Sequence, residues 1–124
     1  MAPIRWLPRA LFEAPAVQLV ALTLGAEGAL LLSRQASVRQ APPEDVKVVD
    51  TVGAGDCFFA GLLAGVQRAG KLRRDQVGSL EEGTLERLLA GAIATATLNV
   101  MQAGCCPPAL AQVEEFLAAP LSLT

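Results

Sequence analysis

The chain has 124 residues, 52% of them hydrophobic and 18% charged, with 10 basic against 12 acidic side chains for a formal net charge of −2. This is the composition of a packed globular chain long enough for one domain with a moderate core. It excludes a disordered segment, and the lack of any long basic run or aromatic platform excludes nucleic acid as the main partner. Histidine is absent, which removes His-based triads, His metal sites and imidazole acid–base chemistry, and leaves Asp, Glu, Lys and Arg as the available actors.

Residues 1–6 contain no long apolar core after their charge, so no signal peptide is expected. Residues 11–17 read as the end of a helix leading into a strand. Residues 18–24 are short, apolar and closed by Gly25, the pattern of a buried strand, and residues 29–33 form a second strand. The Gly25-Ala26-Glu27-Gly28 turn between them makes a hairpin. Residues 37–40 alternate as a short third strand. Pro42 and Pro43 place residues 41–45 in a loop, and residues 46–49 form a brief extended segment.

A helix is predicted to begin near Gly55, with Phe58, Phe59, Leu62, Leu63 and Val66 as its core stripe and Gly70 as its C-terminal cap. Residues 71–83 read as a polar surface connection, with Arg73 and Arg74 on a solvated face. Thr84 is placed to cap a second helix over residues 85–101, rich in Ala, Gly and Thr, whose small side chains allow close approach to a neighbour or a flat ligand. Residues 88–113 carry no charge. Thr95, Thr97, Asn99 and Gln102 interrupt that stretch, and Gly104, Pro107 and Pro108 end it short of the roughly 20 apolar residues of a membrane span, so a buried helix is expected and no membrane partner. Leu110, Val113, Phe116 and Leu117 mark a last amphipathic helix. Cys57, Cys105 and Cys106 form no C-x-x-C pair and no even framework, which fits a reduced, cytoplasmic setting, with Cys105 and Cys106 as small buried or loop residues. Strands followed by helices define an α/β class.

The chemistry concentrates in Asp50-Thr51-Val52-Gly53-Ala54-Gly55-Asp56, directly before the first predicted helix. Backbone N–H groups at a helix start lack intrahelical partners and carry the positive end of the helix dipole, and small residues let an anion reach them. Asp56 stands beside that spot as a proton acceptor. An anion cradle with a neighbouring base suits phosphoryl transfer to a hydroxyl. The plain alternative is a Gly-rich cap. A dinucleotide fingerprint fails because Phe58 occupies the place of its third glycine, and a Walker A loop fails because no Gly-Lys-Ser/Thr occurs.

The stretch from Asp50 to Leu63, Asp-Thr-Val-Gly-Ala-Gly-Asp-Cys-Phe-Phe-Ala-Gly-Leu-Leu, resembles the second signature of the ribokinase-like (PfkB) carbohydrate kinases, with bacterial fructokinases nearest in flavour. The resemblance implies that Gly53, Ala54, Gly55 and Asp56 form an anion hole and that Asp56 is the catalytic base. It extends to Thr23-Leu24-Gly25-Ala26-Glu27-Gly28, where Thr23, Gly25 and Gly28 would lie beside the nucleotide; the same residues also read simply as a hairpin turn. It extends further to Ala103-Gly104-Cys105-Cys106-Pro107-Pro108, a loop along the nucleotide site at Gly104. Asn99 could face the adenine or serve the helix surface or a cap. Asp50 and Gly104 occupy the places near which many relatives hold a monovalent cation, K⁺. The implied cofactors are ATP and Mg²⁺, the metal held mostly by phosphates and water, and the implied acceptor is a small sugar. The implied fold is the C-terminal portion of a ribokinase-like α/β unit, strands and a hairpin followed by helices packed on a sheet. Residues 1–124 then carry the nucleotide side without the N-terminal sugar-binding half and lid. The isolated chain is expected to be weakly active or inactive, and to associate or dimerise through the surface that half would cover.

Overall fold

The computed structural model describes residues 9–118; the expectation for residues 1–6 lies outside them. Three strands, β1 (Leu19–Thr23), β2 (Ala29–Ser33) and β3 (Ser37–Gln40), form an antiparallel sheet in the order β1-β2-β3. The register pairs Val20 with Leu32 and Leu31 with Val38. Apolar runs form the middle strand because β2 is covered most completely: Ala29, Leu31, Leu32 and Ser33 are all buried. Ser33 is tolerated there because its hydroxyl donates to the Leu80 carbonyl at 2.6 Å and accepts from the N–H groups of Gln35 and Ala36, which closes the β2–β3 turn. Arg9 and Ala10 are helical and pass into a 3₁₀ turn, Leu11–Glu13, so a helix does end ahead of the strand, though by Glu13 rather than Val17. Arg34 fastens that segment by donating to the carbonyls of Phe12, Ala14 and Val17.

Among the described residues four helices follow: α1 (Ala54–Arg68), α2 (Arg74–Val77), α3 (Glu82–Val100) and α4 (Leu110–Ala118). The core is one cluster in which Leu31 and Val38 of the sheet meet Phe58, Leu62 and Val66 of α1 and Leu85, Leu89 and Ala92 of α3. The α1 stripe is narrower than its sequence implies. Phe59 and Leu63, at 44% and 62% exposure, face away from the core occupied by Phe58 and Leu62; Phe59 lies edge-on to Phe58 with ring centroids 5.2 Å apart. The small residues of α3 serve contact with α1. A Cβ added to Gly61 would stand 2.7 Å from Thr95 Oγ1 and 3.3 Å from the Ala92 Cα, so the two helices approach as closely as only glycine allows.

Helix ends follow the chemistry of their caps. At the end of α1 the Gly70 N–H donates to the Gln67 carbonyl and the Lys71 N–H to the Val66 carbonyl, a Schellman arrangement around Gly70. Thr84 does not cap α3: that helix starts two residues earlier, with Glu81 as N-cap and no side-chain capping bond. The connection between α1 and α3 is also less superficial than its polar composition suggests. It contains α2, and Leu80 is buried in the core.

Candidate functional site

The Asp50–Asp56 segment reaches its place through bonds to the far end of α3. The carbonyl of Val100 accepts the N–H groups of both Val49 and Asp50, at 2.7 and 3.1 Å. Asp50 Oδ1 accepts the Val52 N–H at 3.0 Å and Oδ2 the Gly104 N–H at 2.9 Å. These two N–H groups hold the Asp50 carboxyl below the usual carboxylate range, Val52 contributing most. Asp50 therefore joins the motif to the late loop. Among the described residues no group of three or more His, Cys, Asp or Glu side chains could hold a metal.

Gly53 is the N-cap of α1 and sits at φ 79°, ψ 4°, in the left-handed region. A Cβ there would also lie 2.5 Å from Cys105 Sγ, so both conformation and space require glycine. The chain then enters the helix with the Ala54 N–H donating to the Thr51 carbonyl and the Cys57 N–H to that of Gly53. Among the described residues the N–H groups of Gly53, Gly55 and Asp56 find no protein acceptor. Gly55 and Asp56 are exposed, and a Cβ on Gly55 would meet nothing within 4 Å. The outcome is a helix N-terminus that presents unpaired N–H groups, the feature that suits an anion, with Asp56 exposed in its first turn. Cys57, one residue on, is buried, and burial first and then the adjoining Cys105 thiol push its thiol up.

The other candidate residues are placed variously. Thr23 is exposed at the end of β1, and Gly25 is exposed in a 3₁₀ turn, Gly25–Glu27, with open space around it. Gly28 is buried against the Gln40 backbone, and its carbonyl accepts the Leu24 N–H at 2.7 Å, so this turn is closed by its own backbone. Gly104 and Asp50 are brought together directly. Asn99 is not placed as an adenine contact: its side chain is fully buried, Nδ2 donating to the Val52 carbonyl at 2.8 Å and Oδ1 accepting the Cys106 N–H at 2.6 Å. Nor does it cap its helix, whose last carbonyls are taken by backbone N–H groups. Cys105 is an exposed loop residue and Cys106 is partly buried. The role of Asn99 carried no local sequence signal, because its partner on the motif lies 47 residues away.

A small antiparallel sheet with helices packed against it forms part of a ribokinase-type α/β fold. The family model described as pfkB family carbohydrate kinase matches residues 7–112; the chain belongs to that family. It is 48% identical over 68 residues to a fructokinase of Rhizobium leguminosarum bv. trifolii, a match covering 55% of this chain and 21% of that one. The aminoimidazole riboside kinase of Salmonella enterica, solved with aminoimidazole riboside and an ATP analog, superposes with a TM-score of 0.70 at 29% identity, covering 95% of this chain and 36% of that chain. An Escherichia coli structure in complex with ATP and Mg²⁺ gives 0.69 at 26% identity, covering 88% of this chain and 32% of that one. The chain thus spans about a third of the length of these solved relatives. No helix among the described residues is long and apolar enough to cross a membrane.

Proposed function

We propose that this chain is the C-terminal, nucleotide side of an ATP-dependent sugar kinase, carrying its anion hole and its base. The observation that supports this most is the set of unpaired N–H groups of Gly53, Gly55 and Asp56 at the start of α1, beside an exposed carboxylate. ATP would supply the phosphoryl group, its γ-phosphate lying against those N–H groups, where charge built up during transfer is met by fixed dipoles that need no reorganisation. Asp56 accepts the proton of a sugar CH₂OH as that oxygen attacks in line. Ala54 contributes a small side chain that leaves the cradle open. Thr23, Gly25 and Gly28 would edge the nucleotide, and the loop at Gly104 would run along it. A K⁺ near Asp50 and Gly104 would be held by backbone oxygens. The sugar is of the fructokinase or ribokinase kind, and its selecting pocket and lid would belong to sequence outside these 124 residues. The setting is cytoplasmic.

A second reading, a non-catalytic nucleotide-binding or interaction module, is favoured by the exposed apolar side chains of Val48, Val49, Val52, Phe59 and Leu63. Such side chains are suited to packing against the remainder of a kinase domain or a second copy of this chain. Calorimetric titration of the 124-residue chain with ATP and ADP, followed by a fructose and ribose phosphorylation assay, separates the readings. Nucleotide binding with little or no turnover is expected. Absence of any nucleotide binding would remove the kinase reading for this chain, and robust turnover would show that the sugar pocket is not missing.

A further inference from the structure

We infer that Cys57 and Cys105 form an oxidation site, a thiol pair that a peroxide converts into a reversible disulfide fastening the Gly104 loop to the first turns of α1. Both residues are held in place by bonds to other parts of the chain. Cys57 is fixed on α1, its N–H donating to the Gly53 carbonyl at 2.9 Å. Cys105 is fixed on both sides in the loop: the Gly104 N–H donates to Asp50 Oδ2 at 2.9 Å and the Cys106 N–H to Asn99 Oδ1 at 2.6 Å. Between these anchors the Cys105 side chain lies against Gly53, its Sγ 2.5 Å from where a Cβ on that glycine would stand. It thus rests on the residue whose carbonyl holds Cys57, and the two thiol groups share a hydrogen bond. Sulfurs at that range need only a short approach to reach the ~2.05 Å of a disulfide. The third thiol is engaged elsewhere: Cys106 Sγ donates to Gln102 Oε1 at 3.1 Å.

The two partners differ in a way that orders the chemistry. Cys105 is exposed and Cys57 buried. Burial first, and the Cys105 thiol next, keep Cys57 protonated, so a peroxide meets Cys105 before it meets Cys57. As a thiolate, Cys105 attacks one oxygen of hydrogen peroxide; the O–O bond breaks, hydroxide leaves and Cys105 becomes a sulfenic acid. The Cys57 sulfur then attacks the Cys105 sulfur, the S–O bond breaks, and hydroxide departs as water with the Cys57 proton. The peroxide gains two electrons, the two thiols lose them, and the two thiol protons end in the two waters formed. An external thiol reverses the bond by exchange. In a reducing compartment such a disulfide is transient, the behaviour of a sensor and not of a structural bridge. None of this chemistry depends on the kinase reading.

The test treats the reduced 124-residue chain with hydrogen peroxide, alkylates the remaining thiols in denaturant and maps the digest by mass spectrometry. The expected product is a single chain lighter by two hydrogens, with the peptides of Cys57 and Cys105 joined, Cys106 alkylated, and the reduced mass restored by dithiothreitol. Because the bond closes a loop of roughly 50 residues, the chemical denaturation midpoint should rise on oxidation and return on reduction. Cys106→Ser should behave as wild type, and Cys57→Ala should stop at a Cys105 sulfenic acid that dimedone labels. A Cys105–Cys106 link, a disulfide between two chains, a Cys105 sulfenic acid that persists in wild type, or a midpoint that falls on oxidation would each overturn the inference. The wild-type map decides it even where a cysteine variant does not fold.

Discussion

The two glycine turns of this chain look alike in sequence and are built on opposite plans. The Gly25–Gly28 turn closes on itself: the Leu24 N–H reaches the Gly28 carbonyl, and no long-range side chain is needed to shape it. The Gly53–Asp56 turn leaves three of its four N–H groups unpaired, those of Gly53, Gly55 and Asp56, and takes its shape from Asp50, Asn99, Val100 and Cys105. A turn that closes on its own backbone needs no outside support. One whose N–H groups stay unpaired has to be held from elsewhere.

The largest effect that would sharpen this contrast concerns chemistry. In a pfkB kinase carrying this segment in place of its own, Asp56→Asn should lower kcat by about 10²–10⁴-fold with ATP affinity retained, whereas Thr23→Ala at the other turn should act on KM with kcat retained. Near-normal turnover of Asp56→Asn in steady-state assays would remove Asp56 as base. Next comes stability. Gly25→Ala strains a left-handed backbone in open space, at about 1–2 kcal/mol, while Gly53→Ala adds a collision with Cys105 and should cost about 1–3 kcal/mol more. Equal costs in chemical denaturation would erase the distinction between the turns.

A smaller effect lies in pH. The folded Asp50 carboxyl is held low by the Val52 and Gly104 N–H groups, so its contribution is fully present above the ordinary carboxylate value of about 3.9 and is lost as pH falls through the lowered one. Denaturation midpoints of wild type and Asp50→Asn should therefore converge as pH drops below about 4, and a constant gap would show that the carboxylate is not what ties the loops. The smallest effect is one of reactivity. Cys105 is exposed and Cys57 buried with its thiol pushed up, so alkylation followed by mass spectrometry should label Cys105 well before Cys57.

Much of the fold was legible because its signals are local. The three strands are short apolar or alternating runs bounded by Gly and Pro, and the α1 cap at Gly70 is a one-residue pattern. Spacing alone failed at the doublets Phe58–Phe59 and Leu62–Leu63, since adjacent residues cannot share a helix face and the pattern does not say which of each pair turns inward. Leu80 was hidden in a polar stretch for the complementary reason: a single apolar side chain makes no periodicity. The unpaired N–H groups at Gly53–Asp56 were readable because helix starts leave them so by geometry. What holds that turn was not, because Asp50 meets Gly104 across 54 residues and Asn99 meets Val52 across 47.

Those intervals bear on the order in which the chain acquires its shape. Closing a long loop carries an entropic cost that is recovered only when the far partner is in place. The Asp50–Asp56 segment therefore gains its final shape only once the C-terminal end of α3 has docked beside it. The sheet can mature first; the part of the molecule with the most recognisable sequence is among the last to become structure.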